Sequence, residues 1–413
     1  MQKLLEEYWQ DRLDPKDLLL PGRKRAWDHF QELGLPKAKQ EAFQYLPLQK
    51  IAFPKPAERR SLSLSDVTPY ILEECKNSYL VFVDGFFEES LSQVPKPLIC
   101  LSLEAAMRSY GLFLQNRLSR TLKEEKDPFA VLNRALQSRG VFLYAPPQFQ
   151  LPSHLQILHV FTSDQMTLPR LEVYLGKSAH LQLIQTAHVQ GATLYCNGAI
   201  DAVLEEGSFL SFCDAQKFPT ASQYFHAFRA SLKRDSRLEM RAFTRGAALA
   251  RHSVKVQLME ENTEALLQGL WNLDGELQTH VHACVEHLAP HTRSRQHFKG
   301  VLKGKSRSSF EGKILVRSIA QKTEAYQLNH NLILSDEASA NAKPNLEIFA
   351  DDVKASHGAT ISQLDAEQLF YLCSRGLPLA EAKQWLIKGF CGELIDQAPL
   401  PFLRELLFQE IDA

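Results

Sequence analysis

The sequence predicts a mainly β protein whose core is a β-solenoid held between an N-terminal and a C-terminal helical domain. Three observations predict it. Between residues 171 and 346 short strands recur around polar turns with a period of roughly 28 residues, as stacked coils do. Apolar residues alternate on either side of each turn, the period-2 signature of strands. Helical periodicity returns at both ends, and no low-complexity or Gly/Ser tract separates the parts, so the boundaries read as docked rather than tethered. A β-sandwich also yields short strands and turns, and the pattern alone leaves it open.

Residues 1–72 read as an N-terminal helical domain, in which Leu4, Leu5, Tyr8 and Trp9 form one helix face and Ala26 to Leu33 a second helix stopped at Gly34 and Pro36. Residues 73–139 read as a mixed connector, with YLVFVDGFF and PLICLSL as strands before a helical stretch. Residues 140–358 carry the β-helix core, entered through turns at Pro146, Pro147 and Pro152. In its repeats Ser178, Ser208, Ser236, Thr263 and Thr292 mark equivalent turns. Residues 359–413 return to helix: Ala382, Trp385, Leu386, Gly389 and Phe390 follow one helical face, and Pro401 starts a last helix that buries Leu403, Leu406 and Leu407.

Bulk properties exclude whole classes of function. With 413 residues, 45% hydrophobic and 23% charged, the chain is an ordinary globular composition, and a net charge of -1 offers no footprint for nucleic acid or an anionic membrane. The N-terminus lacks the apolar core of a signal peptide and no window has the length of a membrane span, so a cytoplasmic location is expected. Seven cysteines lie scattered without a Cys-x-x-Cys pair, the pattern of reduced thiols and not of a self-contained cluster site.

The richest stretch is DDVKASHGATISQLDAEQLFYLCSRGL, residues 351–377. Asp365 is placed as an N-cap, Gln368 completes a capping box, and Arg375 and Gly376 form the stop of a helix of about ten residues. Before it, Val353, Ala355 and His357 share one strand face, and Asp352, Lys354 and Ser356 the other. That sets a titratable imidazole on an otherwise apolar face, where burial is expected to keep it neutral, just before Gly358 ends the strand.

Together with QKTEAYQLNHNLILSDEASANAKPNLEIFA (321–350), HFKGVLKGKSRSSFEGKILV (297–316), GFCGELID (389–396) and GLPKAKQEAFQYLPL (34–48), this stretch resembles the SufB/SufD family of iron-sulfur cluster assembly proteins, on its SufD branch. Two departures stand out: Phe43 where the family often has Trp, and Ala355 where it often has Cys. The resemblance implies a right-handed parallel β-helix core. It further implies a non-enzymatic scaffold subunit of the SUF system that pairs with a SufB-like subunit and works with a SufC-like ABC ATPase. It places a metal or nascent cluster at the subunit interface on His357, flanked by the interface residues Val353, Lys354, Ala355 and Ser356. The ATPase is expected to dock at Arg375, Gly376, Trp385, Lys388, Gly389 and Phe390. No cofactor is expected to stay on this chain; iron or an iron-sulfur cluster passes through the complex, and a reduced flavin on the complex is left open, as are a homodimer of the isolated chain and the choice between iron entry and cluster construction. A SufB-like cluster-bearing homodimer and a carbohydrate-active β-helix enzyme are the rival readings.

Other signals carry less. His280, His282, His287 and His291 form the densest histidine run, but two imidazoles on one strand face make an incomplete metal site, and packing within the solenoid is the plainer reading. KGVLKGKS lacks the spacing of a phosphate loop. Asp351 and Asp352 point to opposite faces of a strand and cannot flank one bond, so they are expected as a polar strand end with Lys354 as counter-charge.

Overall fold

The computed structural model describes residues 2–137 and 139–412, with about 40% of the chain in strands and 26% in helices. Its centre is a parallel β-solenoid of about 8 turns. Two sheets face each other. One stacks Leu155–Phe161, His180–Val189, Phe209–Asp214, Arg237–Gly246, Glu264–Leu273, Arg293–Leu302, Thr323–Ile333 and Val353–Ser362 in parallel. The other runs from Val141–Ala145 through Tyr195–Leu204, Gln223–Leu232, Leu249–Leu258, Gln278–His287 and Arg307–Val316 to Ser339–Ile348. Pairing between successive coils is in register over whole strands, so each coil satisfies the backbone groups of the next.

The repeat follows from turn chemistry. Ser178, Gly207, Asp235, Asn262, His291 and Lys322 occupy the left-handed region with φ of 57–68° at equivalent corners. The next residue is Ser208, Ser236, Thr263, Thr292 or Thr323, each buried, with a hydroxyl that donates to the carbonyl three residues back. Ser178 therefore does not belong to the hydroxyl row expected from the sequence; it is the left-handed residue of its corner, and Ala179 holds the hydroxyl position. Thr292 also meets the Thr323 hydroxyl at 3.1 Å and His287 Nδ1 at 2.7 Å. Thr292→Val keeps the shape and strands these partners in the interior. A loss of about 1–3 kcal/mol is expected, read as a lower urea midpoint with unchanged slope; an unchanged midpoint would contradict a structural role for the row.

Leu, Val and Phe side chains of both sheets fill the solenoid, with Phe212, Phe228, Trp271, Phe298 and Phe310 along its axis. Toward its C-terminal end the filling turns polar, through the buried Gln296, Ser308, Gln327, Asn329 and Asn331. The sheet also extends upstream of residue 140: Tyr79–Val83 pairs in parallel with Leu155–Phe161. The helices Leu20–Leu33, Leu103–Glu124 and Pro128–Leu136 cover that end, and Asn133 and Arg170 bind each other across the junction at 3.1 Å. At the other end, Ala366–Ser374, Leu379–Ile395 and Pro401–Asp412 follow the last coil. Ile387, Cys391, Leu394, Leu403 and Leu407 pack on the outer face of one sheet, against Phe243, Leu270, Val301 and Leu332. No helix among the described residues is long and apolar enough to cross a membrane.

Candidate functional site at the open end of the solenoid

The last strand, Val353–Ser362, pairs with Thr323–Ile333 on one edge and with no described strand on the other. It runs through Gly358, which was expected to end it. Gly358 lies in the register opposite Leu328 and simply continues the extended chain there. Val353 and Ala355 lean on the interior cluster of Ile314, Val316 and Ala325, so this row of the strand faces inward.

His357 belongs to the same row. It stands in register with the fully buried Gln327, which in turn aligns with Gln296, and Gln327 Nε2 donates to Gln296 Oε1 at 3.0 Å. Parallel in-register strands put aligned side chains on one face, so His357 is the last member of an inward-facing polar column. Nothing among the described residues covers it, and the imidazole is exposed. The burial expected from strand alternation is therefore not supplied by the described residues, among which no further coil lies above the row. Lys354 and Ser356 are exposed on the opposite face. Lys354 Nζ sits 3.6 Å from Glu324, and it is Lys322 that pairs with Asp352, so the counter-charges come from the neighbouring coil and not from along the strand.

The same end exposes apolar residues whose aligned partners one coil back are buried. Ile361 is 49% exposed above the buried Asn331, and Ile348 is 37% exposed above the fully buried Val316. Phe349, beside Ile348, is 61% exposed. An apolar rim around an uncovered imidazole is thus the chemical character of this face.

In the C-terminal helices, Asp365 accepts from the backbone N–H of Glu367 and Gln368 at 2.8 and 3.0 Å, and Gly376 takes the φ of 96° that ends the helix. The Arg375 guanidinium lies over the Tyr371 ring at 5.1 Å. The apolar series read from the sequence divides in two. Ala382 is buried, whereas Trp385 is 61% exposed, on the same pair of helices as Phe370, 75% exposed. Gly389 is exposed with open space beside it, and Lys388 is half-buried. Phe390 is half-buried beneath Lys299, whose Nζ lies 5.1 Å from its ring centre, 2.9 Å from its carbonyl oxygen and 2.7 Å from Glu393. Lys299 and Glu393, which the sequence reading did not single out, thus tie this helix to the solenoid. Their only sequence signal was their place in two of the quoted motifs.

The histidine run dissolves into packing. His280 Nδ1 meets the Ser309 hydroxyl at 2.7 Å, and His287 meets Thr292 and Ser294 at 2.7 and 2.9 Å. Burial pushes His280 and His287 down to about 3 and His282 to about 4, so all three stay neutral. All seven cysteines are unpaired, and burial pushes the Cys75, Cys196 and Cys391 thiols up to about 12, so they are weak thiolate donors.

Comparison with known proteins matches residues 159–390 to the family model described as the SUF system FeS cluster assembly SufBD core domain, and residues 12–157 to the SufBD protein N-terminal region. An iron-sulfur cluster assembly SufBD family protein of Synechocystis is 31% identical over 95% of this chain and 90% of its own length. The iron-sulfur cluster assembly protein SufD of Escherichia coli is 28% identical over 91% of this chain and 89% of its own. The chloroplastic protein ABCI7 of Arabidopsis thaliana is 28% identical over 71% of this chain and 64% of its own.

Proposed function

The chain belongs to the SufBD family of iron-sulfur cluster assembly proteins, and from that premise we propose that it is a SufD-like scaffold subunit. In this reading its open solenoid end pairs with a SufB-like solenoid, and iron or a nascent cluster is held between them with His357 as one ligand. The observation that carries it is the uncovered inward column ending in His357 within an apolar rim. A second parallel coil laid on Val353–Ser362 satisfies its free backbone edge, covers Ile348 and Ile361, and encloses the imidazole.

One imidazole cannot hold iron alone, and among the cysteines of this chain none lies in the last strand. The remaining ligands therefore come from the partner, which is why the chain acts as a scaffold and not as an enzyme or a self-contained cluster carrier. A SufC-like ATPase docks on the C-terminal helices around Phe370, Arg375, Gly376 and Trp385. Because Phe390 and Glu393 are anchored on Lys299, movement of these helices is transmitted to the solenoid two strands below the one that carries His357.

Co-expression with SufB-like and SufC-like chains, followed by anaerobic reconstitution, tests the proposal. The complex should take up iron and sulfide, and this chain alone should not. Full cluster uptake by the isolated chain, or failure to form any complex, would sink it. For the ATPase, Trp385→Ala should weaken binding about tenfold with the fold intact, since a large exposed aromatic is a frequent hot spot; unchanged affinity in calorimetry removes this face from the reading.

A further inference from the structure

Deep in the solenoid, away from the open end, Asp214 of one sheet faces His226 and His252 of the other. All three are buried, and their donor atoms lie within 4.8 Å of one another. Asp214 Oδ2 is 3.8 Å from His226 Nδ1 and 4.0 Å from His252 Nδ1. The two histidines occupy the same position in successive coils, in direct register, and this is what brings residues far apart in the chain onto one carboxylate.

Three independent features point to a ligand. Neither ring nitrogen of His226 has a hydrogen-bond partner although its side chain is 1% exposed, and His252 Nδ1 is likewise unpartnered. Second, the carboxylate and the far side of one imidazole are held in place. Tyr224 Oη donates to Asp214 Oδ2 at 2.7 Å, Gln216 Nε2 to Asp214 Oδ1 at 3.1 Å, and His252 Nε2 meets the Thr244 hydroxyl at 2.8 Å. Such partners orient a metal ligand and set its tautomer, leaving Nδ1 free to face the centre. Third, the groups within ion-pair reach of Asp214 among the described residues are these two imidazoles. Each imidazole turns an unpartnered Nδ1 toward that carboxylate, so both have a ring nitrogen to offer an ion placed between them.

We propose that Asp214, His226 and His252 bind one divalent first-row transition-metal ion of the zinc or ferrous class, enclosed within the solenoid. Imidazole with carboxylate suits these ions better than calcium or magnesium. Ligand atoms about 2.0–2.2 Å from an ion sit roughly 3.3 Å apart in a tetrahedral site, so small ring rotations close the triad. Three protein ligands leave a further coordination position beside a narrow, mainly apolar cavity that His226 itself lines together with Phe82, Ile157, His159, Leu171 and Tyr224. The site is independent of His357 and of the pairing proposed above.

The test uses the full chain stripped with a chelator and titrated with Co²⁺ as the spectroscopic probe, then challenged with Zn²⁺ and Fe²⁺ under argon. One equivalent should bind, with visible bands that Zn²⁺ displaces, and Zn²⁺ should raise the melting temperature by several degrees. Asp214→Asn and His252→Gln should each lower affinity at least a hundredfold and abolish the thermal shift. Thr244→Val, a positioning change, should lower it about tenfold, and His357→Ala should leave it unchanged. X-ray absorption of the unmutated Co²⁺ form should show nitrogen and oxygen scatterers including two imidazoles, a readout that does not depend on any variant folding. Sulfur scatterers, binding below a tenth of an equivalent, or undiminished binding by a folded Asp214→Asn chain would each overturn the proposal.

Discussion

A chain carrying both Ile348→Asp and Ile361→Asp is expected to lose at least a hundredfold in affinity for the SufB-like partner proposed above, while its own melting temperature stays within a few degrees. Both residues sit on inward rows of the final coil and are 37% and 49% exposed, so the free chain accommodates carboxylates there in contact with water. On pairing, those carboxylates lose water without a cation to meet them, and the apolar burial of about 1.5–3 kcal/mol per side chain is lost as well. The sum exceeds the roughly 2.7 kcal/mol that a hundredfold represents. Analytical ultracentrifugation of the mixed chains measures it. If the doubly charged variant still forms the complex at native affinity, the open end is not the pairing surface.

His357→Ala is expected to leave assembly and ATP hydrolysis within about twofold and to reduce cluster formation in the complex at least tenfold. Most single side chains in an interface, outside a few large anchors, contribute little to affinity. A missing metal ligand opens the coordination sphere, and such losses run to tenfold or more. His357→Cys should recover part of the yield because thiolate also binds iron, whereas His357→Gln should not, although its amide can still hydrogen-bond to Gln327 beneath it. Equal yields from His and Gln in anaerobic reconstitution would make the residue a structural cap on the polar column, and the ligand role would be discarded.

Much of this molecule was legible in short stretches. Gly34, Asp365 and Gly376 mark helix ends that the structure places where they were read, because capping is a contact between near neighbours in the chain. The strands around each corner were legible from alternation. The hydroxyl row was legible to within one residue, since Ser178 and Ser208 look alike in sequence and differ only in which side of the corner they occupy. The end of the last strand was misjudged at Gly358, because glycine breaks a strand only where its backbone leaves the extended region, and here a neighbouring coil holds it in register.

The sequence by itself determined the family, the solenoid and its flanking helices, since all of these are written in local periodicity and in motifs. Only the tertiary structure decided which side chains are covered. It left His357 exposed at the end of a buried column, turned Trp385 outward and Phe390 inward, and gave Lys354 to Glu324 and Asp352 to Lys322. It also assembled Asp214, His226 and His252 from two sheets. The physical reason is common to all of them. Direction alternates within a strand and can be counted along the chain, but burial and partnership depend on the coil stacked above and the sheet across the interior, a whole repeat away in sequence.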